Sequence, residues 1–394
     1  MGSIKISMKY SRSVKCYFRK WITDSKQARI REFLMEMHRV VEWCIEHHEA
    51  NILGGMKKGE LLLADKLHEC DSWLTQRAKK NAFAEAYGLI LSCKRSSEER
   101  KVKYKTPKHN PNRIMLSMTN IVTNGSPELS DFDFFADIVS YDSRIKSNKR
   151  EDVIKLGIPL KKSKHFNYWT KRGNLCTSAI LTEHYIQFTF ECKTDKKDEG
   201  NVIGLDPGAK HLLTDDEGNH YGSDIWRLLA KLKRKKRCSK AWYRCREEIT
   251  EYIDNTCKRL PYHLLAHIAL EDNRRIKNKS KVRGRLTRNI RSVLTGWSIG
   301  RINDRIQHLC EENGVRLARV PAWYNSTTCP DCGHSEKANR PSQDEFICVG
   351  CGVIHNADVV GAMNSLGRFA SGTYGSQYKQ TFLQKHPNYY ALSA

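Results

Sequence analysis

Two Cys-x-x-Cys pairs, Cys329/Cys332 and Cys348/Cys351, stand 15 residues apart, and this spacing limits what the chain can fold into more than any other feature. Pairs at such a distance are the pattern of a four-cysteine structural zinc site. Gly333 and Gly352 each follow the second sulfur of a pair, where a residue free to take a positive φ can turn the chain and aim N–H groups at the thiolates. An ion held by four sulfurs has no open coordination position. One Zn2+ is therefore expected to organise a small ribbon and take no part in chemistry; the competing reading is four unconnected buried cysteines.

The ribbon is set inside a second pattern. An apolar run at residues 202–205 ends at Asp206, another at 264–270 ends at Glu271, and Asp358 follows Asn356 at the start of a helical pattern over 357–369. Three carboxylates at element ends can converge where a mixed sheet brings those ends together. Oxygen donors suit hard cations such as Mg2+, with Mn2+ as a substitute. Two such ions, about 3.5–4 Å apart, can clamp the attacking and leaving oxygens of a phosphodiester. Taken singly, each acid also has a structural explanation: Asp206 as a turn residue before Pro207-Gly208, Glu271 as an exposed strand end, and Asp358 as a first-turn charge favoured by the helix dipole.

Charge points to a polyanionic partner. The chain carries 68 Lys and Arg against 44 Asp and Glu, a net charge of +24, the electrostatic footprint of a nucleic-acid binder. Between residues 226 and 301 there are 22 basic side chains against six acidic ones, so most of the surplus is local. Candidate nucleic-acid contacts there are Lys233, Arg234, Lys235, Lys236, Arg237, Arg274, Arg275, Lys277, Lys279, Lys281, Arg283 and Arg285. Residues 274–289, nearly all basic or small, read as a loop that is mobile until something binds. The ten cysteines outside the pairs read as core residues or free thiols of a reducing compartment, since the chain is long and shows no secretory leader. No apolar run reaches the ~18 residues of a membrane span. The expectation is a cytoplasmic protein with no membrane partner.

The organisation is that of an α+β multidomain chain. Residues 4–14 alternate as a strand; 25–93 carry helical periodicity, with Leu34, Met37, Val40, Val41, Cys44 and Ile45 on one face. A lysine and proline stretch at 101–113 reads as a linker or basic loop. Strands are expected at 114–122, 154–158, 177–181 and 185–190, so residues 1–24 and 98–200 form a small barrel or sheet interrupted by a helical insertion at 25–97. A second, α/β domain follows at 201–325 and 353–370, containing a hairpin over 210–222, a basic helical hairpin over 226–260, a helix over 290–313 and a strand at 315–320. The ribbon occupies 326–352, and 371–394 read as a partly disordered tail. Trp226, Trp242, Trp297 and Trp323 read as core anchors rather than base-stacking platforms. His47, His48 and His355 read as ordinary polar residues.

Three segments carry a family resemblance. Ile203-Gly204-Leu205-Asp206-Pro207-Gly208, Ala269-Leu270-Glu271-Asp272 and Asn356-Ala357-Asp358 resemble the three RuvC motifs of the TnpB family of transposon-associated nucleases and the compact type V, Cas12-like, CRISPR effectors. The stretches Ser326 to Gly333, Asn339 to Gln343 and Phe346 to Cys348 resemble that family's sequence before and between its zinc pairs. The resemblance implies a RuvC (RNase H-like) nuclease domain with catalytic Asp206, Glu271 and Asp358 binding two Mg2+, one structural Zn2+, and an N-terminal wedge barrel with a helical recognition insertion. It also implies a bound guide RNA, a double-stranded DNA target beside a short flanking motif, and a monomer or a homodimer on one RNA. Arg340 matches a ribbon arginine of the family that could approach the scissile phosphate. Two departures stand out: Glu271-Asp272-Asn273 replaces Glu-Asp-Leu, and Asp358-Val359-Val360-Gly361-Ala362 replaces Asp-x-Asn-Ala-Ala, so that Val360 is expected to remove a polar group near the metals and slow the reaction. Alternatives are a nuclease-inactive RNA-guided DNA-binding repressor, or a zinc-ribbon nucleic-acid-binding protein without guide.

Overall fold

The structure, a computed structural model, describes residues 7–63, 67–118, 121–125, 131–138, 156–208, 210–272 and 299–372. The expected mobile loop at 274–289, with Arg274, Arg275, Lys277, Lys279, Lys281, Arg283 and Arg285, lies outside the described residues, as do Trp297 and most of the tail. The chain divides into two compact units, residues 10–193 and residues 1–9 with 194–394.

The N-terminal unit opens with strand β1 (Ser7–Tyr17), in which alternate side chains are buried. Helix α1 (Asp24–Leu53) begins where the Thr23 hydroxyl accepts from the Lys26 N–H, satisfying one of the free donors of the first turn. It buries Ile30, Phe33, Leu34, Met37, Val40, Val41, Cys44 and Ile45 on one stripe, each apolar side chain worth about 2 kcal/mol when removed from water. After a short α2 (Lys58–Leu63), α3 (Gln76–Arg100) starts at a Thr75 cap and packs along α1. Strands β2 (Arg113–Ser117), β3 (Ile121–Gly125), β4 (Phe134–Ile138) and β5 (Ile158–Leu160), helix α4 (Lys164–Thr170) and strands β6 (Gly173–Thr182) and β7 (Tyr185–Asp195) complete the unit. The run read as one strand over 114–122 is split into β2 and β3, and β4 and α4 were not anticipated.

Two sheets result, ordered β1-β7-β6-β2 and β3-β4-β5. They share one core with the helices, through Phe134 of β4, Phe166 of α4 and Phe188 of β7, whose rings lie within 5.8 Å of one another.

In the C-terminal unit, β8 (Asn201–Asp206), β9 (Leu213–Asp215) and β10 (His220–Tyr221) lead into a helical hairpin, α5 (Ile225–Lys233) and α6 (Lys240–Cys257). Strand β11 (Leu265–Glu271), helix α7 (Ile299–Asn313) and strand β12 (Arg316–Val320) follow. The sheet order is β10-β9-β8-β11-β12, with β8, β11 and β12 mutually parallel and β9 and β10 antiparallel to their neighbours. The ribbon contributes a hairpin of β13 (Glu345–Ile347) and β14 (Ile354–Asn356), and α8 (Ala357–Ala370) packs back across β8, β9 and β11. Among the described residues, no helix is long and apolar enough to cross a membrane.

Candidate functional site

The ribbon is built from its knuckles upward. Gly333 and Gly352 both adopt φ of 77°, and their N–H groups donate to the carbonyls of Cys329 at 3.0 Å and Cys348 at 2.8 Å, closing two matched turns. Sγ atoms of Cys329 and Cys351 lie 3.8 Å apart, and those of Cys332 and Cys348 lie 3.6 Å apart. All four fall within 4.8 Å of one another. Four sulfurs at ~2.3 Å from a central ion would define tetrahedral edges of about 3.8 Å, so the donor set fits one Zn2+. Burial pulls the Cys348 thiol up, but N–H groups of Cys351 and Gly350 and the neighbouring thiols outweigh it and bring it down to about 7, while burial pushes Cys329 up to about 12. Four unmetallated thiols cannot all ionise together; a divalent cation resolves that conflict.

Asn339, fully buried, ties the knuckles together. Its Nδ2 donates to the carbonyls of Thr327 at 2.9 Å and His334 at 3.1 Å, and its Oδ1 accepts from the Val349 N–H at 3.0 Å. That role was not read from the sequence.

The three carboxylates converge through strand register. Leu270 of β11 pairs with Leu205 of β8, so the next residues, Glu271 and Asp206, end adjacent parallel strands side by side. Helix α8 delivers the third acid: Asn356 caps it by accepting from the N–H groups of Asp358 and Val359, which fixes Asp358 in the first turn. Gly204 permits this approach, since a Cβ there would overlap the Ala362 carbonyl oxygen of α8. A glycine inside an apolar strand was the available signal for close approach of another backbone. One turn from Asp358, Gly361 faces Asp206 so closely that a Cβ would stand 2.8 Å from the carboxylate carbon.

The electrostatics follow from crowding. Burial, then Glu271, with which it shares a hydrogen bond, and Asp358 push the Asp206 carboxyl well above the usual range, with Arg340 opposing. Two carboxylates this close cannot both ionise without a compensating cation. Arg340 comes from the ribbon: its Nη2 donates to the Gln343 carbonyl at 2.8 Å and lies 3.7 Å from Asp358 Oδ1. A second ribbon contact, missed in the sequence, joins Lys210 Nζ to Asp344 Oδ2 at 2.8 Å. His211, stacked on His220 with ring centroids 4.0 Å apart, completes the rim. Asp206, Glu271 and Asp358 thus act on one another electrostatically beside Arg340, while among the described residues only the four cysteines bring three or more ligand atoms within 4.8 Å of one another; carboxylate oxygens are the donors that hard cations such as Mg2+ or Mn2+ take.

Two expectations are corrected. Val360 is fully buried with Cys329, Phe346, Cys348 and Ala357; two helical residues are about 200° apart, so it turns toward the ribbon while Asp358 faces the carboxylates, and it takes no polar group from their pocket. Trp226 is not a core anchor but 52% exposed, with the Arg227 guanidinium 5.4 Å from its ring centroid. Trp242 does pack against the core of the unit. Lys233 at the end of α5 and Arg234, Lys235, Lys236 and Arg237 in the turn after it are exposed.

Comparisons with known proteins bear on this arrangement. Residues 300–365, which carry the ribbon and Asp358, match the Cas12f1-like TNB domain family. The InsQ protein of Escherichia coli strain K12, named for a proposed RNA-guided DNA endonuclease activity, is 30% identical over 227 residues, covering 49% of this chain and 56% of that protein. The CRISPR-associated endodeoxyribonuclease Cas12f1 of Sulfoacidibacillus thermotolerans is 32% identical over 80 residues, 19% of each chain. The matches therefore span about half of the first relative and a fifth of the second. Among solved structures, Cas12f1 in complex with sgRNA and target DNA superposes with a TM-score of 0.51 at 13% identity, covering 92% of this chain and 98% of that one. The fold is thus that of compact Cas12 proteins, mixed α and β. The chain is similar to TnpB-like and Cas12f1 proteins, the group its motifs resemble.

Proposed function

We propose that this chain is an RNA-guided DNA endonuclease that cuts double-stranded DNA beside a short flanking motif, by metal-dependent phosphodiester hydrolysis in a single RuvC site. The observation that supports the reading most is Asp206, buried and hydrogen-bonded to Glu271 at the ends of adjacent parallel strands, with Asp358 acting on it from the packed helix. The five-stranded order, with its second strand antiparallel and the acids at the ends of its two central parallel strands and on the packed helix, supports an RNase H-like domain. The relatives' names, which describe RNA-guided and CRISPR-associated DNA endonucleases, support the activity and substrate.

Asp206, Glu271 and Asp358 would hold the divalent ions. When bound, these supply charge to activate an attacking water and offset the departing 3′ oxygen. The chain's own part is positional. Strand pairing and the Asn356 cap hold the three acids at fixed separation, and Arg340, braced on the Gln343 carbonyl, presents a planar fork suited to a phosphate. The four-cysteine ribbon holds Arg340 in place without touching the reaction. In this reading the N-terminal unit engages the guide RNA, base pairing supplies sequence choice, and the protein reads backbone, shape and flanking motif.

The test is linearisation of a plasmid carrying a matched target, by protein purified with its native RNA, with and without chelator. Cleavage that needs both the RNA and a divalent ion is expected. An intact plasmid that is nevertheless bound in a guide-dependent way would favour the nuclease-inactive alternative, against which the complete carboxylate trio stands.

A further inference from the structure

Strand pairing fixes Asp206 beside Glu271, but Asp358 arrives on a helix from another layer, and something must set where along its axis α8 comes to rest. Apolar packing against the sheet is non-directional. Directional contacts come from four buried polar side chains: Asn325, on the chain's way from β12 to the ribbon, and Asn364, Ser365 and Arg368 of α8. Asn325 Nδ2 donates to the Gly361 carbonyl at 2.8 Å and to Ser365 Oγ at 3.2 Å, and Ser365 Oγ donates to the same carbonyl at 3.0 Å. In return, Asn364 Nδ2 donates to the carbonyls of Asn325 at 2.7 Å and Thr328 at 2.8 Å. The Arg368 guanidinium donates to the carbonyls of Pro321 and Trp323.

This clamp closes a circuit around the carboxylates. Val320, the last residue of β12, pairs with Glu271 of β11. The chain then passes the two carbonyls held by Arg368, turns at Tyr324, whose φ is 60°, and presents Asn325 to α8. The carbonyl that Asn325 holds belongs to Gly361, the residue that faces the Asp206 carboxylate and lies one turn from Asp358. Stability alone does not account for an asparagine here. Its Oδ1 is buried with no hydrogen-bond partner among the described residues, an arrangement that costs free energy and that a leucine, branched in the same way, would avoid. What leucine could not supply is the donor aimed at Gly361.

We infer that Asn325 is a positioning residue of the carboxylate site, which sets the register of α8, and so the place of Asp358 beside Asp206 and Glu271, to the tolerance that Mg2+ needs. A slip of one residue along a helix is ~1.5 Å, whereas a hydrogen bond confines its donor and acceptor to a range of about 0.5 Å. Mg2+ demands near-ideal octahedral geometry with oxygens at ~2.0–2.1 Å, while Ca2+ accepts more oxygens, at ~2.3–2.6 Å, in flexible geometry. Loosening α8 therefore penalises the smaller ion first. The inference rests on the metal-dependent reading above and adds to it a residue that decides ion choice without touching the ion.

The test reads ion binding by the full chain as the rise in Tm with Mg2+ or with Ca2+, taking the part of each rise that Asp206→Ala abolishes. Asn325→Leu should raise the Mg2+ concentration for half the effect by about 10–100-fold, as loss of a group that orients metal ligands does, and the Ca2+ concentration by less than about twofold. Ser365→Ala removes one arm of the clamp with a residue that favours helix, and should give a smaller shift in the same direction. Zinc content should be the same in both variants as in the unaltered chain. Ile253→Val, a change in the buried face of α6, is the control for lost stability: it should lower Tm and leave both half-effect concentrations where they were. Equal weakening of Mg2+ and Ca2+ in the two clamp variants, or a lower Tm with unchanged ion binding, would overturn the inference and leave the proposed function standing. If Asp206→Ala abolishes no part of either rise, the metal-dependent reading fails, and the inference with it.

Discussion

The zinc ribbon and the carboxylate cluster gather like charges by opposite routes. In the ribbon, four thiols come from 23 consecutive residues and enclose a space that one ion saturates, so the result is rigid and chemically silent. In the cluster, three acids come from elements up to 152 positions apart, and they are held by strand register and a capped helix rather than by one another. Their repulsion is left unresolved. Under the proposed function, the site that would exchange ligands with water and phosphate is built from groups the fold forces together, and the site that would only hold shape is built from groups that one ion can satisfy completely.

This contrast can be broken at either end. Cys348→Ser should eliminate bound zinc, with metal analysis falling from one ion per chain to none and the segment 326–352 becoming sensitive to protease while the five-stranded sheet stays folded. Structural zinc contributes an apparent ~10–16 kcal/mol to such modules, so this is the largest expected effect; a variant that keeps its ribbon without zinc would end the structural assignment. Asp206→Ala should leave zinc content and guide binding intact and reduce single-turnover cleavage on the order of a thousandfold or more, as loss of a metal ligand at the reacting centre does.

Arg340→Lys keeps the charge beside Asp358 but loses the planar fork. Cleavage should fall roughly 10–100-fold, with target binding by gel shift unaffected. A pH series sharpens the comparison further. Asp206 is held above the ordinary carboxylate range in the metal-free protein, so the folded state binds its proton more tightly than the unfolded chain does. Its contribution to metal-free stability is therefore greatest at low pH and is lost as pH rises through that raised value. Ion binding needs the ionised form, so the rise in Tm caused by Mg2+ should grow with pH, and Asp206→Asn should flatten that dependence. The smallest effect is at the packing contact: Gly204→Ala, which drives a methyl into the α8 backbone, should cost about 1–3 kcal/mol, read as a lowered denaturation midpoint.

How much of this was legible in the sequence follows the same division. Spacing along the chain is local information, and it was enough for the cysteine pairs, for Asn356 as a helix cap and for the acids at strand ends. What it could not provide was register and facing. Nothing in the sequence says that Leu270 pairs with Leu205 rather than with a neighbour, yet that pairing brings Glu271 beside Asp206. Val360 was assigned to the wrong side because adjacency in a motif is not adjacency on a helix. Trp226 was read as core from an apolar context whose other members, Ile225 and Leu229, are the buried ones. Residues 101–113, read as a linker or basic loop, do lack helix and strand up to β2, but composition hides tethers such as Tyr104 to Glu49, made across 55 positions.

The most direct measurement is anomalous X-ray diffraction from crystals of the full chain soaked in Mn2+. Manganese density enclosed by the carboxylate oxygens of Asp206, Glu271 and Asp358, distinct from the zinc signal at the four cysteines, is the predicted result. Saturating Mn2+ that leaves the three acids without a shared ion would contradict the account.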